Sequence, residues 1–143
     1  MKCNLEAQNF INNFYQAIIE KRSDDIVNCY IDSADVYVIL EGPRLATKGI
    51  QDISTGWRDF CSSNIDLHKI EWLDGPYVFE TSECASVAGV VRLIGTAKGT
   101  RFDNTFRASF MLLKTTEGYK IVHEHVSGAL ADPYGIGDWK KNA

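Results

Sequence analysis

The dominant period of the hydrophobic pattern changes near residue 65 of this chain. Before that point apolar residues recur three or four positions apart, which is the spacing of amphipathic helices. After it, apolar runs alternate with short turn sequences, which is typical of strands. Helices followed by a run of strands indicate an α+β fold with an antiparallel sheet, because a parallel sheet requires strands and helices in alternation.

Three helices are predicted in the first part of the chain. The clearest extends from Leu5 to Lys21, where the apolar side chains form one stripe. A second, short helix starts at Ser23 with two acidic residues in its first turn and ends near Asp32. Thr47 is predicted to cap a third helix that continues to Phe60. The β-branched and aromatic run 36–40 predicts a strand between the second and third helices.

The apolar runs and turn sequences in the second part of the chain predict a meander of antiparallel strands. Turn sequences separate the apolar runs at 74–76, 98–100 and 116–118. The two central runs, Cys84 to Ala97 and Arg101 to Lys114, are long for strands, so the sheet is expected to be strongly bent. Gly89 and Gly95 are predicted to mark bulges.

Composition indicates one globular domain spanning residues 1–143. Hydrophobic residues make up 45% of the chain and charged residues 24%, enough apolar surface for a single core. The net charge of −4, without a basic run, argues against nucleic acid as a partner. No apolar stretch is long enough to cross a membrane and the four cysteines are scattered, so we expect a cytoplasmic location, no bound metal and no cofactor.

Two arginines in the predicted central strands require an explanation. Alternation places Arg92 on the same face as Val90, and Arg107 lies in a similarly apolar run. A guanidinium group leaves water only for a carboxylate or several acceptors, so each arginine either forms an internal ion pair, or is exposed, or binds an anionic ligand. The candidate internal partners are Asp35, Glu41 and Asp103.

Histidines and aromatic residues supply the other candidate site residues. His123 and His125 share one face of the last predicted strand, a spacing suited to structural hydrogen bonds or, with a third ligand, to a metal. Glu124 lies between them on the opposite face. Four aromatic residues from different elements either fill the core or line a pocket: these are Tyr15, Tyr37, Trp57 and Trp72.

An excess of apolar surface predicts self-association. The run Arg101 to Lys114 places Phe106 and Phe110 on one face and Met111 and Leu113 on the other. Three helices cannot cover both faces of such a sheet, so we expect a homodimer to bury the remainder.

The chain resembles the superfamily of nuclear transport factor 2 and ketosteroid isomerase, especially its SnoaL-like branch and the association domain of calcium/calmodulin-dependent protein kinase II. The resemblance rests on three parts of the chain. They are the helix from Phe10 with the sequence Ser-Asp-Asp-Ile at 23–26, the sequences Gly-Pro at 42–43 and Lys-Gly-Ile at 48–50 that lead to Trp57, and the segment from Tyr119 to Gly128. The resemblance implies a cone-shaped, cystatin-like fold whose curved sheet encloses a pocket, and dimers that associate through the sheet. It also implies a ligand-binding role for Arg92 and Arg107, because their strand segments look like those that supply arginines to the pocket of the kinase domain.

Two departures disfavour steroid isomerisation. By ungapped alignment, the tyrosine and the general-base aspartate of ketosteroid isomerase fall at Phe14 and Val38, and neither residue transfers a proton. Fold alone does not determine function in such a superfamily.

Three functional hypotheses follow. The leading one is a homodimer that binds a small carboxylate or another anion on Arg92 and Arg107, with Tyr37, Trp57, Tyr15, Trp72 and His125 around the ligand. The second is an isomerase or lyase in which His123 takes a proton and an arginine stabilises the resulting oxyanion. The third is an assembly module without turnover.

Overall fold

A six-stranded curved sheet packs one of its faces against three helices in the computed structural model, which describes residues 5–137. The helices are α1 (Leu5–Ile19), α2 (Ser23–Asn28) and α3 (Ile50–Cys61). The strands are β1 (Tyr37–Ile39), β2 (Thr47–Lys48), β3 (Ile65–Glu80), β4 (Cys84–Ala97), β5 (Thr100–Thr115) and β6 (Gly118–Ser127). This arrangement confirms the predicted α+β fold; Cys3, one of the four cysteines, lies outside the described residues.

The strands are ordered β2-β1-β6-β5-β4-β3. Strands β3 to β6 form the predicted antiparallel meander. Strand β1 pairs in parallel with β6 and antiparallel with β2, so one parallel pair joins the first part of the chain to the meander.

Irregular pairing along β3 accompanies the curvature. The register between β3 and β4 shifts at three places, and two of these lie opposite Gly95 and Gly89. A Cβ atom on Gly89 would lie 2.3 Å from the Asp74 carbonyl oxygen, and one on Gly95 would lie 2.2 Å from the Asp66 carbonyl oxygen. These two glycines therefore let the bulged backbone of β3 approach β4. The turn predicted at 74–76 is wrong, because β3 stays paired with β4 beyond this irregular segment.

The start of α3 also differs from the prediction. Thr47 pairs with Val38 in β2 instead of capping a helix. Gly49 follows with a φ of 88°, a conformation that favours glycine, and its N–H donates to the Val36 carbonyl over 2.7 Å. Helix α3 begins only after this turn, at Ile50. None of the helices within residues 5–137 is long and apolar enough to cross a membrane.

The hydrophobic core lies between the helices and the sheet face that we call the inner face. Phe14 is fully buried at its centre, with ring centroids 5.7 Å from Tyr30, 6.0 Å from Trp57 and 5.9 Å from Phe110. Burying each such side chain contributes roughly 1.5–3 kcal/mol.

The opposite, outer face of the sheet has no helix against it in the described part of the chain. It carries Val90, Arg92, Arg107, Met111 and His123, which alternate with inner-face residues along β4, β5 and β6. The predicted division of β5 into two apolar faces is confirmed, because Phe110 and Leu112 are buried whereas Met111 and Leu113 are exposed.

Candidate functional site

A cavity of about 560 Å³ lies between the inner face of the sheet, helices α1 and α3, and the loop 41–46. Its volume is in the range of small-molecule sites. Its walls are mostly apolar and include Ile53, Val91, Leu93, Phe102, Phe106 and Val126. Such walls favour the aliphatic or aromatic body of a ligand.

Glu124 of β6 is a carboxyl group on this apolar wall. Only 2% of the residue is exposed. Its Oε1 accepts a hydrogen bond from the Tyr30 hydroxyl, which in turn accepts one from Trp57 Nε1 over 3.0 Å. Burial raises the pKa of Glu124 to about 8, with a smaller increase from Glu41, although the bond from Tyr30 opposes the shift. The carboxyl group is therefore mostly protonated at neutral pH.

Tyr15 of α1 is the second polar group on the cavity wall. The residue is 8% exposed, and its ring packs against Trp72 and Phe110 at centroid distances of 5.7 and 6.0 Å. Its hydroxyl has no hydrogen-bond partner among the described residues. Burial raises the pKa of this phenol well above its ordinary value, and the nearby Glu124 carboxyl raises it further. Tyr15 therefore stays neutral and keeps a hydrogen to donate.

The remaining polar residues of the cavity wall include Glu41, Arg44, Asp52 and Asn104, all of which are exposed. Their exposure leaves them in contact with solvent, although partial burial of the Glu41 carboxyl raises its pKa. The interior of the cavity contains no cationic side chain among the described residues.

The two arginines are not brought together in this cavity. Arg92 lies on the outer face, where Nε and Nη2 donate to the two carboxylate oxygens of Asp103 over 2.8 and 2.6 Å, and Nη1 lies 3.5 Å from Glu71. Arg107, also on the outer face, donates to Ser127 Oγ over 3.1 Å and to the Gly128 carbonyl over 2.9 Å. For Arg92 the structure favours the internal-pair alternative, with Asp103 as the partner.

Tyr37 and the two histidines also lie on the outer face. The rings of Tyr37 and His123 stack with centroids 6.2 Å apart, and His123 Nδ1 lies 2.8 Å from the Tyr37 carbonyl oxygen. His125 occupies the same face, opposite Ser109 of β5. The base role expected for His123 therefore has no counterpart in the cavity of a single chain. No group of three metal-ligating side chains suited to holding an ion occurs in residues 5–137.

Among the predicted aromatic residues, the structure places Tyr15 and Trp57 on the cavity wall. Trp72 instead packs behind Tyr15, and its Nε1 donates to Asn12 Oδ1 over 3.3 Å.

Sequence reasoning missed Glu124 and Tyr30 as site residues. The alternation that put the histidines on one face already placed Glu124 on the other, alongside Val126. An acidic residue next to apolar neighbours on the inner face is the signal that identifies this position. Tyr30 carried no comparable signal, because its partner lies 94 residues away.

Comparison with known proteins gives one family and several solved structures. The model described as "SnoaL-like domain" matches residues 7–132. No curated protein matches the chain at a significant level.

Three solved structures illustrate the likeness of the fold. A nuclear transport factor 2-like superfamily protein from Salmonella enterica is 19% identical, with a TM-score of 0.78 and coverage of 93% of this chain and 95% of that one. A nuclear transport factor 2-like protein from Cytophaga hutchinsonii is 12% identical, with a TM-score of 0.72 and coverage of 90% and 100%. A ketosteroid isomerase-like protein from Erwinia carotovora is 15% identical, with a TM-score of 0.70 and coverage of 88% and 97%.

At these identities the solved structures establish the fold and not an activity. The family match extends over α1 to β6, and so over every element that builds the cavity. The chain therefore belongs to the SnoaL-like domain family.

Proposed function

We propose that this protein is a single-domain, small-molecule-binding homodimer whose ligand is neutral and largely apolar. The observation that carries the proposal is the cavity of about 560 Å³ with apolar walls and a buried polar floor of Tyr15 and Glu124. A ligand that fills it gains roughly 25 cal/mol for each Å² of apolar surface that leaves water.

A neutral ligand fits this cavity better than the carboxylate expected from the sequence. Arg92 and Arg107 already donate to protein acceptors on the outer face. A carboxylate buried beside Glu124 would have no cationic partner there, because Arg44 of the cavity wall lies on the exposed loop 41–46, and burying an unpaired charge is costly.

Filling the cavity is expected to block ligand uptake. The neutral fluorescent probe N-phenylnaphthylamine should bind the native protein with increased emission, and Leu93→Trp should weaken that binding by at least about tenfold, because Leu93 lines the cavity and an indole occupies part of its volume. Fluorescence titration at constant protein concentration measures both affinities.

Leu73→Trp is the matched control, because Leu73 is 54% exposed and does not line the cavity. This variant should bind the probe like the native protein. Equal binding by all three proteins would contradict the proposal.

The homodimer part of the proposal is supported by the outer face. Tyr77, Phe79 and Met111 expose apolar surface on this one side of the sheet. A second copy related by a twofold axis would cover it with an identical patch.

A second candidate function is proton transfer of the isomerase or lyase type. It is favoured by the Glu124 carboxyl, a titratable group inside an apolar cavity with a pKa of about 8, and it moves the acid–base role from His123 to Glu124. This candidate fails if no ketone that binds in the cavity exchanges its α-hydrogen with D₂O.

A further inference from the structure

Trp57, Tyr30 and Glu124 form a chain of two hydrogen bonds in which each donor points toward Glu124. The Trp57 indole N–H can only donate, and it donates to the Tyr30 oxygen. Tyr30 has one hydroxyl hydrogen, which it gives to Glu124 Oε1. Oε1 is therefore held as an acceptor, and Tyr30 and Trp57 act as positioning residues for the carboxyl group.

The second oxygen of Glu124 is left to face a ligand. No residue of the described chain forms a hydrogen bond with Oε2, and Glu124 lines the cavity. In a neutral carboxyl group, the oxygen that accepts is the carbonyl oxygen and the other oxygen carries the proton. Because burial raises the pKa of Glu124 to about 8, Oε2 is an O–H donor at neutral pH.

Tyr15 supplies a second donor on the same wall. Its side chain is more than nine-tenths buried, and its hydroxyl has no partner, Glu124 included. Phe110 lies directly opposite Glu124 in the sheet, and its ring centroid is 6.0 Å from that of Tyr15, so both polar groups lie on the same part of the cavity wall. A buried donor without an acceptor destabilises a protein, and a ligand acceptor relieves that cost.

We infer that the Tyr15 hydroxyl and Glu124 Oε2 form a two-donor site for the carbonyl oxygen of a neutral ligand, such as a ketone, aldehyde or ester, whose apolar body fills the cavity. This inference rests on the proposed function and specifies its ligand class. Neither residue stands at Phe14 or Val38, the positions where the resemblance places the functional residues of ketosteroid isomerase.

The chemistry of the site selects among ligand head groups. A carbonyl oxygen has two lone pairs, one for each donor. A carboxylate would lose its hydration without meeting a cation, and an ammonium group would bring no acceptor for the Tyr15 hydrogen. A hydrocarbon would leave both donors unpaired.

Three probes of nearly the same shape test this selectivity. Acetylnaphthalene has a carbonyl oxygen, ethylnaphthalene has none, and naphthoate is a carboxylate. Each probe is titrated into the complex of the protein with N-phenylnaphthylamine, and the fluorescence decrease on displacement of the dye gives the Kd of the probe. The readout is the Kd of ethylnaphthalene divided by that of acetylnaphthalene, which cancels changes in cavity shape that affect both ligands.

This ratio is expected to fall about tenfold in Tyr15→Phe and in Glu124→Leu, since each variant removes one donor. In the native protein the ratio should also fall as the pH rises above about 8, when Glu124 ionises. Glu124→Gln keeps one donor and one acceptor, so its ratio should not fall with pH. Naphthoate should bind more weakly than acetylnaphthalene at every pH.

The possible failures are distinct. A Kd ratio that is the same in the native protein, Tyr15→Phe and Glu124→Leu overturns the two-donor site. Naphthoate that binds as tightly as acetylnaphthalene overturns it as well. Neither result contradicts the proposal that the cavity binds small molecules. If none of the three probes displaces the dye, the proposed function itself is wrong. Tyr15→Phe removes only an unpartnered hydroxyl, so its melting temperature should equal or exceed that of the native protein and folding should not obscure the result.

Discussion

Glu124→Gln is expected to abolish a fall in stability that the native protein shows between about pH 5 and pH 9. In the folded chain the Glu124 carboxyl keeps its proton up to a pKa of about 8, whereas in the unfolded chain it releases it near the ordinary value of 4.5. Between these values the native state binds more protons than the unfolded state. The free energy of unfolding therefore decreases as the pH rises.

The size of this effect follows from the shift in pKa. The stabilisation is fully present below the unfolded pKa and is lost as the pH rises through the folded pKa. It amounts to on the order of 3–5 kcal/mol, because each unit of pKa difference corresponds to about 1.4 kcal/mol. Glutamine has no proton to release, so the variant lacks this contribution to the pH dependence.

Urea unfolding at a series of pH values measures the effect. The difference in unfolding free energy between native protein and Glu124→Gln should shift in favour of the variant as the pH increases. Contributions from other titrating groups cancel in this difference. Parallel curves for the two proteins across the range would show that Glu124 is not held neutral by the fold.

Met111→Glu is expected to convert the proposed dimer to a monomer. Met111 is 41% exposed on the outer face, where a second copy would cover it. A twofold axis brings the substitution into the interface once from each copy, and two unpaired carboxylates buried there strongly destabilise it. Light scattering should give about twice the chain mass of 16.0 kDa for the native protein and 16.0 kDa for the variant.

Leu45→Glu provides the control for this experiment. Leu45 is 93% exposed in the loop 41–46, whose other residues line the cavity on the inner side of the sheet, so this charge should leave the proposed dimer intact. A native protein that is monomeric at micromolar concentration, or dissociation of both variants alike, would contradict the proposed interface.

The fold was largely predictable from the sequence because its elements are long and strongly patterned. Strand β4 has the predicted bounds, Cys84 to Ala97, and β5 is longer than predicted by one residue at each end. The glycines expected at bulges lie opposite two register shifts. The short elements were less predictable, because Thr47 joins a two-residue strand through pairing with Val38, a contact that no local propensity encodes.

The site was harder to predict because both faces of the central strands are apolar. Alternation correctly placed Arg92 on the same face as Val90, but Val91 and Leu93 on the other face are equally compatible with the core. Which face the helices cover is a tertiary property, and it decides whether a side chain lies in the cavity or on the outer face. The same ambiguity hid Glu124, whose role depends on facing inward and on its long-range hydrogen bond with Tyr30.

We propose that the cavity between the sheet and helices α1 and α3 binds a small neutral molecule. The most direct test is a crystal structure of the protein grown with acetylnaphthalene at pH 7. We predict the naphthalene rings between Trp57, Leu93 and Phe106, with the carbonyl oxygen within about 3 Å of Tyr15 Oη and Glu124 Oε2. An empty cavity at saturating ligand, or a ligand held on the outer face beside Arg92 or Arg107, would contradict the account.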